Sequence, residues 1–170
     1  MKTERFVPKR NMRKSSGFTL IEILVVIGII AILAAIVIVA INPARQFAQA
    51  RNSQRTSDIA AISNAIGQNI ADNKGVFTCG TYSLPTTTAL MIASTTIAHT
   101  GEIDLRGCLV PTYISEIPTD PTAGTVWNDT LKTYTTGYTI LQNASTSRIT
   151  VSAPTALQAS ELTQTITLTR

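Results

Sequence analysis

The fold is decided by residues 23–41, which read ILVVIGIIAILAAIVIVAI. These nineteen residues contain no charged or strongly polar side chain. At 1.5 Å per residue, a helix of this stretch is roughly 29 Å long, which is close to the ~30 Å hydrocarbon core of a bilayer. The stretch therefore predicts a helix that can span a membrane.

The basic residues of the chain are concentrated before this stretch. The 170 residues include 14 Lys and Arg and 10 Asp and Glu, a formal net charge of +4. Six of the basic residues and one acid precede Gly17, so eight basic and nine acidic residues remain for the rest. The positive-inside rule keeps the basic leader in the cytoplasm and places the C-terminal part on the outer side. Scattered charges beyond the leader exclude a dedicated nucleic-acid interface, and the length excludes a large multi-domain enzyme.

Two ordinary interpretations of this N-terminus are a cleaved secretory signal and an uncut signal anchor. Ala34, Ala35 and Ala40 imitate the small residues of a signal-peptidase site. The apolar run is longer than the 7 to 15 residues typical of a signal peptide, and it continues directly into a helix-forming segment. Both interpretations are therefore less favoured than a third, which depends on the residues just before the run.

Residues 17–22 read GFTLIE and separate the basic leader from the apolar run. This arrangement resembles the class III signal of type IV pilins and of type II secretion pseudopilins. The resemblance implies that a prepilin peptidase cuts between Gly17 and Phe18 on the cytoplasmic face and methylates the new amino terminus. Residues 1–17 are then a leader peptide, and residues 18–41 stay in the mature protein as a transmembrane and filament-core helix.

Glu22 is a carboxylate at the edge of an otherwise apolar segment. Such an acid is costly in a membrane, about 2.5 to 3.5 kcal/mol at the centre of a helix, and less near the interface. One interpretation is that Glu22 only reaches the membrane surface. The resemblance implies an assembly role instead, in which the Glu22 carboxylate pairs with the Phe18 amine of a neighbouring subunit.

Residues 42–74 are predicted to form an amphipathic helix. Asn42-Pro43 indicates a kink or a fresh helix start. Beyond it, Phe47 and the isoleucines at 59, 62, 66 and 70 form one apolar stripe, onto which a globular head is expected to fold. The charged residues of this helix, among them Arg55 and Asp58, are predicted to lie on a solvated face with an i,i+3 ion pair, or else to contact other subunits.

Residues 75–170 predict a head rich in β-strands. The clearest runs are Lys132–Leu141, Arg148–Ala153 and Leu162–Arg170, and Leu90–Ala93 is expected to form a short buried helix or strand. Packed on the isoleucine stripe, three or four antiparallel strands make a small α+β head. This architecture, a long N-terminal helix carrying a sheet, matches that of pilins.

Cys79 and Cys108 are the only cysteines, and both lie on the outer side of the predicted membrane span. An oxidising compartment permits a disulfide between them. Metal binding is the alternative, but two cysteines and the single distant His99 do not form a four-ligand set. We do not expect His99 to be a catalytic base, because no nucleophile motif accompanies it.

The segment Ile117–Pro121 contains Asp120 between two prolines and resembles a pseudopilin loop that holds calcium in some family members. Asp120 and Asp129 are therefore calcium candidates. Ca²⁺ prefers six to eight oxygen ligands, and a rigid proline turn is the favoured alternative. Asn128 and Asn143 match the N-glycosylation pattern, which arises often by chance in a chain rich in Thr and Ser.

These features together predict a major pilin, a structural subunit without enzymatic activity or a required cofactor. Its expected partners are copies of itself, the prepilin peptidase, an inner-membrane assembly platform and membrane lipid. The precursor is expected in the cytoplasmic membrane with a single N-in, C-out span, and the assembled subunit in an extracellular filament. The alternatives are a pseudopilin, a minor or DNA-uptake pilin, and a membrane-anchored binding module.

Overall fold

A computed structural model describes residues 17–95, 101–154 and 166–170. Helix α1 (Leu20–Ile41) is followed by helix α2 (Pro43–Asp72). Asn42 between them adopts the left-handed conformation with φ of 45° and ends α1. Pro43 opens α2, a position where its fixed φ and missing N–H are tolerated. The interruption that Asn42-Pro43 predicted is present as a fresh helix start.

The chain divides into two compact units at Asn42. The first unit contains α1, in which Leu20–Ile38 is long and apolar enough to cross a membrane. The second unit, which we call the head unit, contains α2 and all of the strands. Its elements after α2 are β1 (Leu90–Ser94), β2 (Glu102–Ile103), α3 (Arg106–Leu109), β3 (Thr125–Asn128), β4 (Thr133–Gln142), β5 (Ile149–Ala153) and β6 (Ile166–Thr169).

The strands form one six-stranded sheet in the order β2-β1-β4-β5-β6, with β3 also paired to β4. The α+β class with an N-terminal apolar helix is confirmed. The sheet is mixed, because β1 and β2 run parallel while the other pairs are antiparallel. The sequence predicted antiparallel strands alone, since a strand of two residues is too short to show an alternating pattern.

The predicted strands at Lys132–Leu141 and Arg148–Ala153 correspond to β4 and β5, and Leu90–Ala93 belongs to β1. The last predicted strand, Leu162–Arg170, is present as β6 from Ile166 onward, and residues 162–165 lie outside the described residues. Strands β2 and β3 and the short helix α3 were not predicted.

The core of the head unit lies between α2 and the sheet. Ile59, Ile62 and Ile66 are at most 1% exposed and join one cluster with residues of β1, β4 and β5. Ile70 packs against the same cluster, so the isoleucine stripe is confirmed as the surface that carries the sheet. Phe47, the first residue of the predicted stripe, is 64% exposed. Apart from Ala48, the buried residues of α2 begin only at Arg55.

Candidate functional site

The segment of residues 17–19, just before α1, is exposed and non-helical. Gly17, Phe18 and Thr19 are all exposed, and Thr19 has an extended backbone with φ of −80° and ψ of 151°. The first helical residue is Leu20. The Gly17–Phe18 peptide bond is therefore accessible and lies outside the hydrogen-bonded helix.

Glu22 caps the helix to which it belongs. Thr19 Oγ1 accepts a hydrogen bond from the Glu22 backbone N–H at 3.3 Å, and Glu22 Oε2 accepts one from the Thr19 N–H at 3.5 Å. This reciprocal arrangement, a capping box, satisfies two backbone donors that the helix itself leaves free. The carboxylate also lies at the positive end of the helix dipole. The Thr-x-x-Glu spacing was a signal for this cap that the sequence analysis did not use.

The surface of α1 from Leu20 to Ile38 is apolar on every side. The large hydrophobic side chains of this stretch are between 46% and 82% exposed, and Glu22 is the only charged residue between positions 18 and 41. Contiguous apolar surface of this extent is unfavourable in water. The helix therefore requires lipid or other apolar helices around it.

A buried ion pair joins α2 to the loop before β3. Arg55 Nε donates to Asp120 Oδ2 at 2.6 Å and Nη2 donates to Asp120 Oδ1 at 3.1 Å. Arg55 is 1% exposed and Asp120 is 2% exposed. Asp120 Oδ1 also accepts the backbone N–H of Thr122 at 2.8 Å and of Ala123 at 3.0 Å. The hydrogen bond to Asp120 raises the pKa of Arg55, so the guanidinium stays charged.

A second buried polar contact involves Asp58, three residues after Arg55 in α2. Tyr138 of β4 donates its hydroxyl to Asp58 Oδ2 at 2.7 Å, and Gln54 donates to Oδ1 of the same carboxylate at 2.7 Å. Burial, and then the hydrogen bond to Asp58, raises the pKa of Tyr138 above its ordinary value. The prediction of a solvated face for Arg55 and Asp58 was wrong, because both residues border the isoleucine stripe and the head folds over them.

The Asp120 loop lies directly on β4. The Asp120 N–H donates to the Thr136 carbonyl at 2.7 Å. Gly137 has φ of 80°, and a Cβ built there would lie 2.7 Å from the Asp120 Cβ. Glycine is thus required by both the backbone conformation and the close approach of the loop. The loop is fixed by this contact on one side and by Arg55 on the other.

The two calcium candidates have separate partners. Asp120 is committed to the Arg55 guanidinium, whereas exposed Asp129 accepts from Trp127 Nε1 at 2.7 Å and pairs with Lys132 at 3.6 Å. The indole hydrogen bond, and then Lys132, lowers the pKa of Asp129. Among the described residues, no three His, Cys, Asp or Glu side chains are grouped to hold a metal. A calcium role stays a prediction, and these contacts argue against it.

Cys79 and Cys108 are joined in the structure, with Cα atoms 5.1 Å apart. This separation lies within the range usual for disulfides. It fits the pairing that the sequence favoured and links the loop after α2 to α3. The candidate glycosylation residues Asn128 and Asn143 are exposed, and each side-chain oxygen accepts two backbone N–H groups of its own turn. His99 lies outside the described residues.

Comparison with known families identifies the N-terminal part of the chain. Residues 12–38 match the family model described as the prokaryotic N-terminal methylation motif. The chain carries the class III signal of type IV pilins and pseudopilins. This signal contains Gly17, Phe18 and Glu22 together with most of α1; it supports a type IV pilin- or pseudopilin-like precursor, and the apolar helix fits a membrane anchor. No curated protein and no solved structure shows significant similarity to the chain.

Proposed function

We propose that the chain is the major subunit of a type IV pilus-like extracellular filament. The observation that carries the proposal is helix α1, whose surface from Leu20 to Ile38 is exposed and apolar apart from Glu22, the only charge, at its start. The class III signal supports the same function. In this proposal residues 1–17 are the leader, residues 18–41 the filament-core helix, residues 42–74 the amphipathic helix and residues 75–170 the β-rich head.

Assembly follows from packing and from one ion pair. After the peptidase cuts the exposed Gly17–Phe18 bond, the new amino terminus lies four residues before Glu22. In a filament of bundled α1 helices, the amine of one subunit meets the Glu22 carboxylate of a neighbour. Each charge alone is costly in an apolar core, and the pair neutralises both while fixing the axial register. The function is structural, and the head faces solvent.

A major pilin is favoured over a pseudopilin or a minor pilin by the character of the head surface. Exposed Thr and Ser residues are frequent in its turns, and its exposed charges are few and of both signs. A DNA-binding tip would need a clustered basic face, and the cations of the described residues do not form one. Such a surface suits a polymer that remains outside the cell.

The test is intact-mass and N-terminal analysis of the chain in two fractions, material sheared from the cell surface and the membrane. We expect the sheared fraction to be dominated by a chain that begins at methylated Phe18. A cut and methylated chain found only in the membrane would instead support a pseudopilin or a minor pilin. Residues 1–17 still attached in cells with an active prepilin peptidase would support the membrane-anchored binding module.

The role of Glu22 is tested with a matched pair of variants. Glu22→Ala is expected to abolish sheared filaments while the cut subunit remains in the membrane. Thr19→Ala removes the side-chain half of the capping box but leaves the carboxylate, so it is expected to keep filament assembly. Equal loss in both variants would show that helix capping, and not the contact with a neighbour, is the role of Glu22.

A further inference from the structure

The head unit contains an open cleft beside the disulfide. Its volume is about 410 Å³, and it is lined by residues 79–82 together with Asp104, Gly107 and Cys108. This volume is typical of sites that receive a ligand or a side chain. A Cβ at Gly80 or Gly107 would meet no atom within 4 Å, so there is open space beside both glycines of the lining.

Asp104 is the only charged residue of the lining, and only one of its two carboxylate oxygens accepts hydrogen bonds from the described residues. Oδ1 accepts hydrogen bonds from the Tyr134 hydroxyl and the Arg106 N–H, both at 2.9 Å. Oδ2 accepts none from the described residues. The Arg106 guanidinium does not supply this bond, because it pairs with Glu116 and lies over the Trp127 ring, 4.3 Å from its centroid.

The chemistry of the cleft suits a guanidinium group. A carboxylate oxygen with an open acceptor position binds the planar fork of arginine. The occupant should therefore be an exposed arginine that has no acidic partner of its own.

Arg148 meets this description. It is exposed, and its side chain makes no hydrogen bond or ion pair with another described residue. It ends the turn between β4 and β5, in which Asn143 Oδ1 accepts the N–H groups of Ser145 and Thr146 at 2.9 Å each. The Asn143 N–H donates to the Arg148 carbonyl at 2.8 Å and closes the turn. An ordered turn loses little conformational entropy when it binds.

Arg148 cannot reach the cleft of its own chain. Asp104 directly follows β2, so in the register of β2 with β1 it lies beside Ala93. Ala93 in turn pairs with Thr135 of β4. Arg148 directly precedes β5, whose Ile149 pairs with Gln142 at the other end of β4. In the sheet, β5 is three strands away from β2. Eight residues along a strand and three strand spacings correspond to a separation of about 30 Å. Only a second chain can bring the two groups together.

We propose that Arg148 of one copy binds Asp104 in the cleft of the next copy along the filament. This contact rests on the proposed filament function and adds the head surfaces that join successive subunits. Because the two surfaces are different, the contact is head-to-tail, and such a contact builds an open filament when the rotation between successive copies does not close a ring.

The first test compares charge reversals in full-length chains produced with the pilus machinery. Arg148→Glu is expected to lower the amount of sheared filament at least about tenfold, with the cut subunit still present in the membrane. Lys132→Glu is the matched control, an exposed cation on the other hairpin whose partner is Asp129, and it is expected to assemble normally. Normal assembly of Arg148→Glu would overturn the inference.

The second test avoids any change at Asp104, which also supports the fold. Filaments of Arg148→Lys are treated with a carbodiimide, which joins an amine to a carboxylate in contact with it. We expect a cross-linked peptide between position 148 and Asp104 in sheared filaments and none in unassembled membrane subunits. Filaments that form but cross-link position 148 only to other carboxylates would overturn the cleft as its site. If the wild type gives no sheared filament, the proposed function fails first, and this contact fails with it.

Discussion

Replacing Arg55 with methionine removes the cation from the buried ion pair and leaves the Asp120 carboxylate buried without it. Asp120 is 2% exposed, so water cannot take over the two bonds of 2.6 and 3.1 Å that the guanidinium donates. Breaking a buried pair in this way costs about 3 to 5 kcal/mol, whereas removing both charges costs less. We therefore expect Arg55→Met to be strongly destabilising and Asp120→Asn to recover part of the loss in the Arg55→Met background.

Thermal unfolding of the full mature chain in detergent micelles, followed by near-ultraviolet circular dichroism, measures this effect. At about 3 °C per kcal/mol for a unit of this size, Arg55→Met should lower the Tm of the head by about 10 °C. Arg51→Met is the control, because Arg51 precedes Arg55 by one helical turn and makes no ion pair with another described residue; its shift should stay within about 2 °C. A similar small shift for Arg55→Met would refute the reasoning.

Three further predictions concern the rest of the head. Burial raises the pKa of Tyr134 and Tyr138 above the ordinary 10.0. The stability that the neutral hydroxyls give is therefore full below that pH and is lost as the pH rises above it. Phenolate absorbance should show both tyrosines ionising only together with unfolding. Gly137→Ala should cost about 2 kcal/mol or more in denaturant unfolding, whereas Gly67→Ala, whose Cβ meets nothing, should not destabilise. Cys79→Ser should cost about 3 to 4 kcal/mol by releasing the loop between the cysteines, and reductant should then no longer change the Tm.

The N-terminal features could be predicted because they depend on neighbouring residues alone. The apolar run and the GFTLIE border specify α1 and its signal without reference to any other element. Asn42-Pro43 marks a helix start through the covalent restriction of proline, and the isoleucine stripe follows from helical spacing. Each of these signals is complete within about thirty residues of sequence.

The polar contacts of the head could not be predicted in the same way. Arg55 and Asp120 are 65 positions apart, and Tyr138 and Asp58 are 80 apart. Local spacing favoured an Arg55–Asp58 pair on the helix surface, worth only a few tenths of a kcal/mol. In the structure, Arg55 instead pairs with Asp120 of the loop before β3, and Asp58 accepts from Tyr138 of β4. Both charges are buried beside the isoleucine stripe, and a buried charge needs a hydrogen-bonded partner.

The capping role of Glu22 must be compatible with its proposed pairing with a neighbouring subunit. In the single chain Glu22 Oε2 accepts the Thr19 N–H, which leaves Oε1 and the remaining lone pairs free for another donor. In the proposed mature subunit the amine is at Phe18, one residue before that cap and close in sequence to its own carboxylate. The proposed filament contact must therefore compete with an internal pairing of these two groups. We expect close packing between α1 helices to favour the contact with the neighbour.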